Sequence, residues 1–175
     1  MSEMQATYLK DYLPPAYRVT HTELTFDLAP SATRVKARLH LERHPDRRPE
    51  NSEAGLPLEL AGEYLTLISV AIDGQTLEPD EFTASETALV IATVPERFRL
   101  DTEVEIDPDA NTALEGLYRS NGMFCTQCEP EGFRRITFYP DRPDVMATFS
   151  TTVIGDRETC LLYTSDAADD LTRVD

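Results

Sequence analysis

The sequence predicts an all-β fold, in which short antiparallel strands form a two-sheet β-sandwich or one open, curved sheet. At least eight short runs have the period of two that is typical of strands, and no run shows a convincing helical period. Turn signals separate these runs at short, regular spacings, which favours such an architecture over a parallel α/β fold. With 175 residues, the chain is long enough for one domain with its own core.

Two amphipathic strands are predicted first. In residues 17–28 the apolar side chains alternate with polar ones, and they are Leu24, Phe26 and Leu28. In residues 34–41 one face is apolar and the other charged, and the apolar residues are Val35, Ala37, Leu39 and Leu41. A proline-containing turn joins the two runs, so we expect an antiparallel hairpin with one buried face.

Shorter strands are predicted after a polar loop at residues 44–55. Asp73-Gly74 is a strong hairpin signal between two of them. The predicted runs are residues 56–60, 64–72, 75–77, 82–84, 88–93 and 98–106.

The net charge of −16 argues against a nucleic-acid-binding protein, because phosphate binding needs a basic surface. No run approaches the roughly twenty apolar residues of a membrane span, so no membrane partner is expected. The first residues lack the basic and apolar regions of a secretory signal, and three cysteines do not form an even disulfide framework. We therefore expect a cytoplasmic protein.

The chemistry is concentrated in residues 111–143, which hold two cysteines, four carboxylates and four arginines. Cys125 and Cys128 have the C-x-x-C spacing of a redox pair or of half a zinc site. The other candidate ligands are Cys160, His21, His40 and His44. The surroundings are all-β, and His40 falls within a strand pattern with His44 at its solvated end. We therefore expect the thiols to be packing groups.

Gln127 and Glu129 allow two interpretations. Glu129 and Glu131 could be solvated carboxylates paired with Arg134 and Arg135, each pair contributing at most about 1 kcal/mol. Alternatively, Gln127 and Glu129 could project from an ordered loop as acceptors for a cationic group such as an ammonium. Nearby, the aspartates that follow Tyr139 are expected to accept backbone amides in a turn, and the aromatic residues Phe133, Phe138 and Tyr139 are expected to lie in the core.

Several segments resemble the N-terminal domain of bacterial aminopeptidase N, a family of zinc metallopeptidases that remove single residues from peptide N-termini. The similar segments are NTALEGLYRS at 111–120, FCTQCE at 124–129, EGFR at 131–134 and DRPDV at 141–145. The resemblance extends upstream through DY at 11–12, LTFDL at 24–28, SV at 69–70 and VPERF at 94–98. It therefore covers most of residues 1–156.

The resemblance implies a curved, saddle-like β-sandwich that packs on a thermolysin-like catalytic domain. It also implies that Glu129 helps to bind the free α-amino group of a peptide substrate and that Gln127 lines the same pocket. A carboxylate desolvated at a domain interface would pair strongly with an ammonium, which selects for exopeptidase action.

The zinc-binding H-E-x-x-H motif of this family is absent; the nearest string, His40 to His44, has its glutamate one place late. We therefore expect zinc in the full-length family enzyme, no metal bound by this chain, and no hydrolysis by this chain alone. The expected partner is a catalytic domain that belongs to the same polypeptide. A stand-alone β-sandwich binding module without enzymatic activity is the alternative.

The expected organisation is an N-terminal arm at residues 1–16, the aminopeptidase N-like domain at 17–157 and a tail at 158–175. Residues 160–169, CLLYTSDAAD, resemble the translation of a transposon-end adapter used in sequencing libraries. We therefore expect this tail to be non-native and poorly ordered, because it would lack a native packing partner.

Overall fold

Eleven β-strands and two short 3-10 turns build the part of the chain that the structure, a computed structural model, describes: residues 12–47 and 56–155. Within these residues there is no α-helix, and the all-β prediction is confirmed. The predictions for residues 1–11, 48–55 and 156–175 lie outside the described residues. The domain boundaries at residues 16 and 157 stay predictions.

The elements are given in chain order. They are β1 (Tyr17–Asp27), β2 (Thr33–Arg43), a 3-10 turn (Pro45–Arg47), β3 (Leu58–Ala61), β4 (Thr66–Ile72), β5 (Gln75–Thr76), β6 (Thr83–Ala84), β7 (Ala88–Ile91), β8 (Arg97–Ile106), β9 (Gly116–Ser120), β10 (Met123–Gln127), a second 3-10 turn (Phe133–Arg135) and β11 (Thr148–Ile154).

The described strands form three open sheets. The largest has the order β11-β1-β2-β8-β4-β5, a second has the order β3-β7-β6, and β9 pairs with β10 as a separate hairpin. All pairs are antiparallel except β1 with β11. The predicted hairpin of the first two strands is confirmed as β1 and β2.

The period of two in β2 and β8 places apolar side chains on one face of the large sheet. Leu39 pairs across the strands with Leu100, and both are fully buried. Leu60 and Leu89 of the small sheet are also fully buried and join the same core cluster. The opposite face of the large sheet carries cross-strand ion pairs, so the sheet has one dry and one wet face.

Two of the hairpins turn through the same backbone geometry. Asp73-Gly74 has φ angles of 51° and 85°, and it joins β4 to β5 as predicted. Asn121-Gly122 has φ angles of 50° and 85° and joins β9 to β10, a hairpin that was not predicted. Asn-Gly is itself a strong hairpin signal, so the sequence did contain the information.

Candidate functional site

The candidate loop, residues 127–132, begins where β10 ends. β10 is held by β9, and Gln127 pairs with Gly116 at the last position of this ladder. Two hydrogen bonds fold the loop back on itself. The Gln127 Nε2 donates to the carbonyl oxygen of Glu129 at 3.1 Å, and the amide of Gly132 donates to the carbonyl oxygen of Cys128 at 2.9 Å. The loop therefore has a defined shape, with the Gln127 side chain tied to it.

Close packing against β9 also fixes the end of this loop. A Cβ atom on Gly132 would overlap the carbonyl oxygen of Gln127 and would lie 3.0 Å from the amide nitrogen of Gly116. Gly132 has a φ of −85°, which any residue adopts, so the requirement for glycine is spatial. The loop and the strand end thus pack backbone against backbone.

Glu129 is exposed at the tip of this loop. Among the described residues, its carboxylate takes part in no ion pair and no side-chain hydrogen bond. The neighbouring carboxylates differ: Glu131 lies 3.5 Å from Arg134, and Glu115 lies 3.1 Å from Arg135. The interpretation that both glutamates pair with the two arginines is therefore right for Glu131 and wrong for Glu129.

Arg134 is engaged by acidic groups from three parts of the chain. Its Nε donates to the Asp141 carboxylate at 2.9 Å, and its guanidinium lies 3.9 Å from Glu63 and 3.5 Å from Glu131. Only 19% of its side chain is exposed. The hydrogen bond from Arg134 to Asp141 is the largest cause that raises the pKa of this guanidinium. Sequence reasoning did not find this role of Asp141, although it did expect an aspartate here to accept a backbone amide.

Arg135 is also paired with acidic side chains. Its guanidinium lies 3.1 Å from Glu115 and 3.5 Å from Glu63, and it stacks on the Tyr64 ring at 4.5 Å from the ring centroid. The two adjacent cations are therefore satisfied by groups other than Glu129. Among the described residues, Glu129 has no cationic partner.

The two cysteines of the C-x-x-C spacing are free and half-buried. Burial raises the pKa of the Cys128 thiol, and the negative charge of Asp141 raises it further. A thiol with a raised pKa is a poor nucleophile and a poor metal ligand at neutral pH, because both roles need the thiolate. These observations support the expectation that Cys128 is a packing group; Cys160 lies outside the described residues.

The histidines lie where the strand pattern predicted. His40 is in β2, with its Nε2 3.0 Å from the Glu23 carboxylate, and His44 follows the end of that strand. His21 contacts the hydroxyl of Thr148 at 2.7 Å. Within the described ranges no three His, Cys, Asp or Glu residues are grouped so that they could hold a metal ion. The described residues therefore do not supply the set of donors that a zinc site needs.

The aromatic residues of this segment form part of the core. Phe138 and Tyr139 are buried, and Phe133 packs edge-on against Tyr139 with ring centroids 4.8 Å apart. Tyr139 also forms a backbone bridge to Ala61 at the end of β3. The prediction of core positions is confirmed for Phe138 and Tyr139, and Phe133 is partly buried against the same core. Phe133 is the first residue of the second 3-10 turn, so this packing attaches the turn to the core.

Comparison with known proteins identifies the family. The family model of the Peptidase M1 N-terminal domain matches residues 59–168. The chain belongs to this M1 family. The matched range continues into the predicted tail, and the tail itself stays a prediction.

Curated aminopeptidases N are similar over most of the chain. The protein of Caulobacter vibrioides is 48% identical over 152 residues, and that of Escherichia coli is 48% identical over 153 residues. Each match covers 87% of this chain and 17% of the relative. This chain thus spans about a sixth of the length of these relatives, and its resemblance to their N-terminal domain is confirmed.

Solved structures share the fold. Aminopeptidase A of Legionella pneumophila, in complex with aspartic acid, has a TM-score of 0.77 and is 32% identical; the match covers 87% of this chain and 18% of that one. A variant of the M1 zinc metallopeptidase of Deinococcus radiodurans, bound to a Tyr-Ser-Ala substrate, has a TM-score of 0.63 at 17% identity, covering 79% and 32%. The second likeness concerns the fold alone. The predicted architecture is confirmed.

The fold also bears on the membrane prediction. Within residues 12–47 and 56–155, no helix is long and apolar enough to cross a membrane.

Proposed function

We propose that this chain is the N-terminal domain of a zinc-dependent aminopeptidase and that Glu129 and Gln127 bind the free α-amino group of a peptide substrate. One observation carries the proposal: among the described residues the Glu129 carboxylate has no ion-pair partner, whereas the neighbouring carboxylates Glu115, Glu131 and Asp141 each pair with an arginine. Membership of the M1 family and the likeness to aminopeptidases N supply the reaction class.

The loop offers two acceptors to an ammonium group. Because the Nε2 of Gln127 already donates to the Glu129 carbonyl oxygen, its Oε1 remains available to accept a hydrogen bond. The Glu129 carboxylate supplies the opposite charge, and such charge-assisted hydrogen bonds are about twice as strong as neutral ones. Only the first residue of a peptide carries an α-ammonium, so an anchor of this kind favours cleavage at the N-terminus.

Peptide hydrolysis itself is assigned to a catalytic domain of the same polypeptide, since the described residues hold no donor set for zinc. This chain's contribution is to bind and orient the substrate amine. A covering domain would exclude water from Glu129 and so strengthen its attraction for the ammonium. The proposal includes the cytoplasm as the compartment, which the free thiols of Cys125 and Cys128 support.

The test uses a chimera in which residues 1–155 of this chain replace the matching segment of Caulobacter vibrioides aminopeptidase N. The rate of release from alanine p-nitroanilide is measured for the chimera, for Glu129→Gln and for Glu129→Ala. N-acetylalanine p-nitroanilide, which lacks the α-ammonium, serves as the substrate control. Glu86→Ala is the matched protein control, because Glu86 is an exposed glutamate in the connection between β6 and β7.

We expect both Glu129 variants to raise KM for the free-amine substrate about tenfold to a hundredfold, the value of a hydrogen bond to a charged group. The acetylated substrate should be a poor one for every variant, and Glu86→Ala should behave as the unaltered chimera does. Equal KM values for the chimera and Glu129→Gln would refute the amine anchor. Activity of the unextended chain that a zinc chelator abolishes would refute the assignment of the metal to another domain.

A further inference from the structure

The contacts around the candidate loop point to Asp141 as a positioning residue. We infer that Asp141 holds Arg134 so that the 3-10 turn Phe133–Arg135 forms a rigid base for the loop that presents Glu129. This inference rests on the proposed function, because it concerns how the amine anchor is kept in place.

Asp141 accepts three hydrogen bonds from Arg134. Its Oδ2 accepts hydrogen bonds from the Nε of Arg134 at 2.9 Å and from the Arg134 amide at 3.2 Å. Its carbonyl oxygen accepts a third, from the Nη2 of Arg134 at 3.3 Å. The Asp141 side chain is only 10% exposed. A carboxylate that binds both the backbone and the side chain of one residue fixes the position of that residue as well as its charge.

The turn that contains Arg134 packs directly against the anchor loop. Gly132 caps this turn, and Arg135 donates its amide to the Gly132 carbonyl oxygen at 3.1 Å. Gly132 in turn touches the backbone of Gln127 and Cys128 with no room for a side chain. Because the contacts at Gly132 are between backbone atoms, a shift of the turn would be transmitted to Gln127 and Cys128, which directly precede Glu129.

The negative charge of Asp141 also acts on a residue of the candidate loop. It is the second cause that raises the pKa of Cys128, the residue between Gln127 and Glu129. The other partners of Arg134 hold it less closely, since Glu131 and Glu63 lie 3.5 and 3.9 Å away. The loss of Asp141 would therefore leave a largely buried guanidinium with two weaker partners and a less rigid turn.

A double-mutant cycle in the chimera separates positioning from general stability. KM and kcat for alanine p-nitroanilide are measured for Asp141→Asn, Glu129→Gln and the double variant, together with their unfolding midpoints. Asp109→Asn is the matched control: Asp109 pairs with Arg119 at the same 2.9 Å, but at the opposite end of the β9–β10 hairpin. Arg134→Lys replaces Asp141→Asn if the latter is unfolded at the assay temperature, because lysine retains the charge without the fork of donors.

We expect Asp141→Asn to raise KM about tenfold while kcat changes less, because a misplaced anchor loses binding that ground state and transition state share. In the Glu129→Gln background the same substitution should raise KM less than about twofold, and Asp109→Asn should change neither constant. An equal rise of KM in both backgrounds, or no rise at all, would overturn the positioning role. An unchanged KM for Glu129→Gln alone would instead refute the proposed function.

Discussion

Gly132 and Gln127 touch through their backbones. A Cβ atom on Gly132 would overlap the carbonyl oxygen of Gln127, and it would lie 2.9 Å from the Cα of Cys128. The φ of Gly132, −85°, is open to every residue, so the contact itself is what requires glycine. The shape of the candidate loop therefore depends on the absence of a side chain at Gly132.

Gly132→Ala should destabilise the protein by about 1–3 kcal/mol, because backbone atoms cannot move aside as a flexible side chain can. Urea unfolding of the full chain measures this loss. Gly122→Ala is the comparison, since a Cβ there would meet nothing closer than 3.8 Å. Its φ of 85° lies in the left-handed region, which costs alanine about 1–2 kcal/mol. A smaller loss for Gly132→Ala than for Gly122→Ala would contradict the steric explanation.

Cys128 should be alkylated slowly at neutral pH. Burial and the charge of Asp141 raise the pKa of its thiol, so the reactive thiolate is scarcer than in an unstructured peptide. Peptide mapping by mass spectrometry after timed iodoacetamide treatment would give the rate at Cys128 in the folded chain and in urea. We expect the folded rate to be lower, and to rise as the pH increases beyond the ordinary thiol range. Equal rates in the two states at pH 7 would count against this picture.

The wet face of the large sheet should make stability depend on acid pH. Glu42 accepts hydrogen bonds from Arg18 and Arg97, and the bond from Arg18 is the largest cause that lowers the pKa of this carboxyl below 4.5. A lowered folded-state pKa contributes stability above the unfolded value, and that stability is lost as the pH falls through the folded value.

The expected result is that Glu42→Gln lowers the unfolding midpoint at pH 7 and that the difference from the unaltered chain disappears on titration from pH 5 towards pH 3. Thermal unfolding followed by circular dichroism at several pH values measures this difference. Glu59→Gln, on an exposed position of β3, is the matched control and should show little effect at any pH. A difference between Glu42→Gln and the unaltered chain that grew as the pH fell would have the wrong sign.

The longest strands that were predicted correctly, β1, β2 and β8, share one property: one face is buried and the other is wet. In β2 and β8 this gives strict alternation, which can be recognised without knowing the partner strand. β11 was missed because most of its residues are exposed, so no apolar period marks it. It lies at the sheet edge, and its pairing with β1 is parallel and distant in sequence. The β9–β10 hairpin was missed although Asn121-Gly122 marks its turn.

Residue type and motif resemblance were enough to single out Gln127 and Glu129, but local pattern left their role open. The interpretation of Glu129 as a paired surface carboxylate was reasonable, because two arginines follow within six residues. The structure differs from that interpretation because the two arginines form ion pairs with Glu63, Glu115 and Asp141. Such competition depends on distances between strands and turns, which a sequence pattern does not contain.

The sequence by itself thus determined the fold class, the principal strands with their buried faces, and the family resemblance. Each follows from local periodicity, turn chemistry or a contiguous motif, all of which act over a few residues. Only the tertiary structure decided which carboxylate stays uncommitted and which residues support it. The physical reason is that ion pairs and backbone contacts form between groups far apart in the chain, as Glu63 and Arg134 show.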